Sequence, residues 1–345
     1  MNTLKLFFIC NLLLIVSNTY GTVRTVYNGS GSQAQFSDVT AAIAASNNGD
    51  TLYLSPSSIS YGNFLLTKSV SIIGKGSHSA VQIPIISLVG DISIGTNLSN
   101  ITIVGVKALH IYFGNGNHHI NVNRCNLLGY IRLSSNVNNC SISNCIFESA
   151  NSINITQVSC GSTFYTNVND MLIQNNIFNG YIESLTGTNY IQNNLFLNNT
   201  CAFSVDCNHS NYVMYAIIQN NIFYGDSPDS NTGNGTFLNN LSYEPGGAFL
   251  TLGGSNIDNT NPLFVNFTSN QSYFSYAYDF HLQPNSPARL AGNDGTDLGI
   301  YGGNNPISVL GEPLGVPVIR KMNVSNFNVS TNGNVNVNVT STTSR

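Results

Sequence analysis

Tryptophan is absent from this 345-residue chain, and charge is scarce: Lys and Arg number 11, Asp and Glu 15, together 8% of residues. Ordinary soluble proteins carry about a quarter. The formal net charge of -4 leaves no basic footprint for a nucleic-acid partner. Beyond the first twenty or so positions no apolar run approaches the roughly 20 residues of a membrane helix, so no span is expected in the mature chain. The cysteines lack zinc-type spacing, which argues against a metal site, and no cofactor motif occurs. Enzymes that work by acid–base chemistry need several ionisable groups converging on one place, and few are on offer. What fills the chain instead is 42% hydrophobic residues, with 17 Tyr, 18 Phe and 31 Gly, on a polar background of Asn, Ser and Thr.

A short phrase recurs through the middle. It reads Ile173-Gln174-Asn175-Asn176-Ile177-Phe178, then Ile191-Gln192-Asn193-Asn194-Leu195-Phe196, then Ile218-Gln219-Asn220-Asn221-Ile222-Phe223. Weaker copies begin at Ile142 and Val122. Repeats of this kind mark stacked units that cannot bury an apolar face alone. A β-branched residue ahead of a double Asn suits a strand entering a tight bend, because Asn tolerates left-handed backbone. Stacked copies would place one Asn above another about 4.8 Å away, the separation of neighbouring strands. At that distance side-chain amides can hydrogen-bond along the stack and satisfy one another when turned inward. A leucine-rich repeat shares the period but requires a leucine framework, and here Ile, Val and Phe hold the apolar positions. The phrase resembles the asparagine ladder of right-handed parallel β-helices with the pectate-lyase-like fold. That resemblance implies an all-β solenoid with a right-handed parallel β-helix, and by itself no activity.

The flanks agree. Residues 1–21 read as a signal peptide: Lys5 precedes an apolar stretch from Leu6 to Val16, followed by small residues near Thr19-Tyr20-Gly21. A secreted or cell-surface protein is expected. Ser37 or Asp38 starts a predicted helix carrying Val39, Ala42, Ile43 and Ala45, which would cap the solenoid's open end, and Thr51-Leu52-Tyr53-Leu54 alternates as a strand. From about 66 to 225 the coils follow at roughly 20 residues each, with excursions predicted at 156–170, 206–213 and 226–236. Further on, Asn261-Pro262-Leu263-Phe264, then Asp279-Phe280-His281-Leu282-Gln283-Pro284-Asn285-Ser286-Pro287-Ala288 and Asn293-Asp294-Gly295-Thr296-Asp297 resemble the terminal segment of a family of secreted bacterial parallel β-helix proteins. The β-helix domain is therefore placed at 22–312. A C-terminal β-hairpin tail, 313–345, is predicted around Asn332-Gly333, with Phe327 and Val329 on one arm and Val335, Val337 and Val339 on the other.

Alignment of the coils sorts the remaining residues. Cys125 and Cys145 fall at one inward position and Cys140 at another, where a small apolar core residue is expected. Cys201 and Cys207 flank a short excursion and form the disulfide candidate in an exported chain. Gly129-Tyr130-Ile131-Arg132 and Gly180-Tyr181-Ile182-Glu183 are equivalent. With Ile131 and Ile182 inward, Tyr130, Arg132, Tyr181 and Glu183 face out. His110 and Tyr112 precede them in the same two columns, and Asp206 is expected near Glu183. This face is the candidate binding surface. His118-His119 sits in a turn, and Asp294 and Asp297 are open to calcium or plain turn chemistry. Glycosylation triplets at Asn28, Asn100, Asn154, Asn208 and Asn328 are expected by chance in so Asn-rich a chain. Enzymes on the resembled fold work on polysaccharides along an outward sheet face. Two readings follow: a non-catalytic solenoid that binds polysaccharide or mediates surface contact, or a polysaccharide lyase or glycoside hydrolase on the same face.

Overall fold

The computed structural model describes residues 21–31, 34–76, 86–148, 153–154, 167–180, 182–183, 185, 187–197, 202–204, 215–225, 235–244, 251–267, 274–308, 317–324 and 335–343. The chain winds as a parallel β-helix. A complete coil gives one strand to each of three parallel sheets in turn; Leu172–Gln174, Ile177–Phe178 and Ile182–Glu183 make up one such coil. Among the described residues the first sheet has ten strands, from Val23–Val26 to Thr236–Leu238; the second has seven, from Lys107–Ala108 to Leu241–Tyr243; the third has seven, from Phe64–Leu66 to Phe203–Ser204.

The repeated phrase is in strict register. Ile173 pairs with Ile191 and Ile191 with Ile218, so alternate residues line one interior. That interior holds Ile103, Val122, Ile142, Ile173, Ile191 and Ile218 in a column, all buried. Phe147, Phe178, Phe196 and Phe223 stack from the second sheet at centroid separations of 4.8, 4.9 and 5.0 Å. The coil spacing thus sets the ring spacing, and near-parallel rings at this distance pack favourably.

Both asparagines of the phrase have separate duties. The first takes left-handed backbone, with φ of 53° at Asn175, 55° at Asn193 and 58° at Asn220, and turns the chain from the first sheet to the second. The second points inward. Asn176 Nδ2 donates to Asn194 Oδ1, Asn194 to Asn221, Asn221 to Asn240 and Asn240 to Asn256, each at 3.0 Å. The other Nδ2 hydrogens go to the carbonyls of Ile142, Ile173, Ile191, Ile218 and Phe237. The expected column of Asn176, Asn194 and Asn221 is present and runs two coils further than the sequence motif suggested.

The second sheet has an apolar outer face as well. Ile146, Ile177, Leu195, Ile222 and Leu241 are buried there beneath Phe264, Phe280, Ala288, Leu298 and Ile300. The segment after 260 folds back as a second layer, with Phe264–Asn266 antiparallel to Asp279–Leu282. Asn126 Nδ2 ties it down by donating to Tyr276 Oη at 2.8 Å, and also donates to Glu148 Oε1 of the next coil at 2.7 Å. Burial pushes the Tyr276 phenol up to about 12.

At the other end a helix spans Val39–Ala45, with Asp38 Oδ1 accepting from Ala41 N at 2.7 Å as its N-cap. Its Val39, Ala42 and Ile43 join the solenoid core. Asp50, nearly sealed from solvent, accepts from Thr22 N, Asn47 N and Arg24 Nε at 2.8, 3.0 and 3.0 Å. In the tail, Pro317–Val324 pairs antiparallel with Val337–Thr343. The expected arm at Phe327 and Val329 and the Asn332-Gly333 turn lie outside the described residues, as do residues 1–20 of the predicted signal peptide and most of the predicted excursions. Among the described residues no helix is long and apolar enough to cross a membrane.

Candidate functional site

The outward face of the third sheet gathers four of the candidate side chains. Ile111 pairs with Ile131 and Tyr112 with Arg132, which sets His110 beside Tyr130 one position earlier. Ser93 pairs with Tyr112, bringing Asp91 alongside His110. Because Ile92, Ile111 and Ile131 point inward and are fully buried, their neighbours project outward as two parallel columns.

The columns interlock. Asp91 Oδ1 accepts from His110 Nδ1 at 2.8 Å, the imidazole lies 4.2 Å from the Tyr130 ring centroid, and Tyr130 meets Tyr112 edge-on at 86° and 5.9 Å. Arg132 Nη2 donates to Tyr130 Oη at 3.2 Å, and the guanidinium carbon sits 5.6 and 5.2 Å from the Tyr112 and Tyr130 centroids. Those contacts are within cation–π range. Arg132 Nε is buried and has no hydrogen-bond partner. Desolvation, then the Tyr130 hydroxyl, raises the Tyr112 phenol above its ordinary range, so Tyr112 stays a neutral donor.

His110 is held against backbone. A Cβ on Gly129 would come within 2.4 Å of His110 Nε2 and 2.7 Å of the Leu109 carbonyl, so only glycine lets the ring lie flat there. One ring nitrogen serves Asp91 and the other rests over Gly129. The chemistry on display is therefore apolar ring faces, phenol hydroxyls and a partly desolvated guanidinium.

Of the remaining candidates for this face, only Glu183 is among the described residues, by its backbone. Backbone register carries the Arg132 column through Asn154 to Glu183 and Ser204, leaving Arg132 and Glu183 two strands apart, roughly 9–10 Å. Tyr181, Asp206, Cys201 and Cys207 lie outside the described residues. Ser204 is the residue in register with Glu183, in the place expected near Asp206. Cys125, Cys140 and Cys145 are free and buried. Asp294 Oδ1 accepts from Thr296 N and Oγ1 at 3.0 and 2.7 Å, and Asp297 Oδ1 from Leu290 N at 2.9 Å; both cap turns. Among the described residues no three His, Cys, Asp or Glu side chains converge as metal ligands.

Sequence reasoning missed Asp91. It lies one repeat, 19 residues, before His110 in the same outward column, since Ile92 pairs with Ile111, and a count carried one coil further back reaches it.

No protein-family model matches the chain, and no curated protein does. Among solved structures, pectate lyase Pel9A is similar at a TM-score of 0.41 and 14% sequence identity, over 82% of this chain and 98% of that one. At that level the class of protein, a parallel β-helix, rests on the strand pairing described above.

Proposed function

We propose that the protein binds polysaccharide, or a glycan-bearing surface, along the third sheet and does not turn it over. The observation that carries this reading is the Tyr112–Tyr130–Arg132 cluster on adjacent coils. Aromatic faces accept sugar C–H groups, and a guanidinium can donate to a hydroxyl or carboxylate. Regular coil spacing repeats these groups along one direction, which suits an extended chain. The described part of this face offers one acid–imidazole pair, Asp91 with His110 Nδ1, and turnover would need further acid, base and charge-stabilising groups converging on it. The work is done outside the cell or on its surface, a reading supported by the Lys5-led apolar start and the low charge.

A polysaccharide array read for retention and for reducing-end or unsaturated products tests this. Wild type is expected to be retained without product. Tyr130→Ala and Arg132→Ala should keep the far-UV spectrum and lose retention. Product formation by wild type would instead favour a lyase or hydrolase; unchanged retention by both variants would remove this face from the site.

A further inference from the structure

On the opposite side of the Asn bend, the first sheet carries a second polar column that plays no part in the face described above. Gln174, Gln192 and Gln219 are in register on adjacent coils and form a chain with a single direction. Asn293 Nδ2 donates to Gln219 Oε1 at 3.0 Å, Gln219 Nε2 to Gln192 Oε1 at 3.0 Å, and Gln192 Nε2 to Gln174 Oε1 at 3.1 Å. Each amide oxygen in the column accepts one of these bonds, and N–H groups stay unpaired along it: one hydrogen on Gln219, one on Gln192, and both on Gln174 at the open end.

The fold-back segment supplies the facing wall. Residues 293–294 and 303–305, with the glutamine column and Asn175, Asn193 and Asn220, enclose a cleft of about 200 Å³. Two of the bend asparagines are committed: Asn175 Nδ2 donates to the carbonyls of Ile300 and Gly302, and Asn220 Nδ2 to Asn293 Oδ1. Asn193 is not. It is 3% exposed, and its Nδ2 is the one buried side-chain amide nitrogen among the described residues with no acceptor. Burying a donor without a partner costs about 1–3 kcal/mol. Gly302 keeps the approach to it close: a Cβ there would stand 2.6 Å from Asn193 Nδ2 and 1.8 Å from the Asp297 carbonyl.

We propose that this cleft is a subsite for one neutral pyranose unit, held by the N–H groups of the glutamine column and Asn193. A complementary ligand must offer several acceptors at once, as hydroxyl and ring oxygens do. It must also be uncharged, because no Lys or Arg lines the cleft and its one ionisable group is Asp294. Asp294 Oδ1 is occupied by Thr296, which leaves Oδ2 to accept from a ligand hydroxyl. The size suits a single ring with a few waters, since a water takes about 30 Å³. The site shares no residue with the Tyr112–Arg132 face, and each stands or falls alone.

The test follows side-chain NH2 resonances in a ¹⁵N spectrum of the mature chain while cellohexaose, mannohexaose or xylohexaose is added, with hexagalacturonate as the acidic counterpart. At least one neutral hexasaccharide should shift the amides of Gln174, Gln192 and Asn193. Gln174→Met, at the exposed end of the column, should weaken that response about tenfold. Asn193→Gly, which preserves the left-handed bend, should do the same. Tyr112→Ala should leave it unchanged. The proposal is overturned if no neutral probe moves these resonances at millimolar concentration. It is equally overturned if hexagalacturonate moves them as strongly, or if the shifts disappear with Tyr112→Ala but persist with Gln174→Met.

Discussion

The same inward position of the coil is filled in two ways along the solenoid. Toward the N-terminus it holds Val106, Cys125 and Cys145; toward the C-terminus it holds Asn176, Asn194, Asn221, Asn240 and Asn256. The thiols make weak contacts: Cys125 Sγ donates to Asn123 O at 3.3 Å and Cys145 Sγ to Ser143 O at 3.3 Å. Each interior asparagine of the ladder instead donates twice and accepts twice. A buried amide is tolerable only with partners on both sides, so asparagines there come as a run. The run starts at a thiol coil, where the Cys145 backbone N–H donates to Asn176 Oδ1 at 2.8 Å. The bend can thus be closed by volume alone or by a directional chain. Only the second transmits the loss of one member to its neighbours.

The harshest way to break this contrast is Asn194→Leu, in the middle of the ladder. It strands Asn176 N and Nδ2, the Ile173 carbonyl and one acceptance at Asn221 Oδ1. Unsatisfied buried groups at about 1–3 kcal/mol each, partly relieved by relaxation, put the expected loss near 4 kcal/mol. Chemical denaturation reads it. A loss below about 1 kcal/mol would mean that the ladder, like the thiols, is mere filling.

Acid should separate the two ends. The ladder does not titrate, whereas the N-terminal end is pinned by Asp50. The backbone N–H groups of Asn47 and Thr22, then the Arg24 guanidinium, hold the Asp50 carboxyl below its ordinary value. A depressed carboxylate adds stability that is complete above its unfolded value of about 4 and is lost as pH falls through the folded one. Melting temperature should therefore fall on acidification below about pH 4 with Asp50 as a contributor. Asp50→Asn should cost about 2 kcal/mol at neutral pH, with an acid response flatter than wild type. An equally steep response in the variant would place the acid sensitivity elsewhere.

The buried thiols report where a break travels. Burial pushes Cys140 up to about 11 and Cys145 well above the usual thiol value, so alkylation at mild pH requires opening. In a stack where each coil touches only its neighbours, Asn176→Leu should accelerate labelling of Cys145 more than Asn240→Leu does. Equal acceleration would show that the solenoid opens as a single unit.

Much of this was legible in the sequence because it is periodic. The doubled asparagine, the isoleucine column and the outward pairing of Tyr130 and Arg132 with His110 and Tyr112 all follow from counting at one repeat. Counting one coil further back also reaches Asp91, which stands opposite His110; it failed where the phrase is interrupted, since Asn240 and Asn256 lack the Ile-Gln lead-in. It also failed where partners come from afar. The Ile-Phe or Leu-Phe pair ending each phrase is apolar at both positions, a sign that the outer face is covered, yet nothing in the spacing names 264–300 as the cover. The glutamine column is visible in the phrase, but its facing wall at 293–305 is not.

The mildest substitution sharpens the comparison most. Cys145→Asn would extend the ladder by one coil into the thiol region. The partners are already in place: Asn176 Oδ1 faces Cys145 N, the Val122 carbonyl lies 3.8 Å from Cys145 Sγ, and the Cys125 backbone N–H is the counterpart of the Cys145 N–H that Asn176 accepts. A new amide would donate to Asn176 Oδ1 and Val122 O and accept from Cys125 N. Its extra volume must fit between Cys125 and Asn176, and small overpacking costs about 1–3 kcal/mol. New hydrogen bonds return about 1 kcal/mol each. The two should nearly cancel, so the expected change is within about 1 kcal/mol of wild type, far from the loss at Asn194→Leu. A loss as large as that one would mean the thiol coils are spaced for sulfur and cannot host the chain; a gain would show that the ladder stops at Cys145 for want of an amide there.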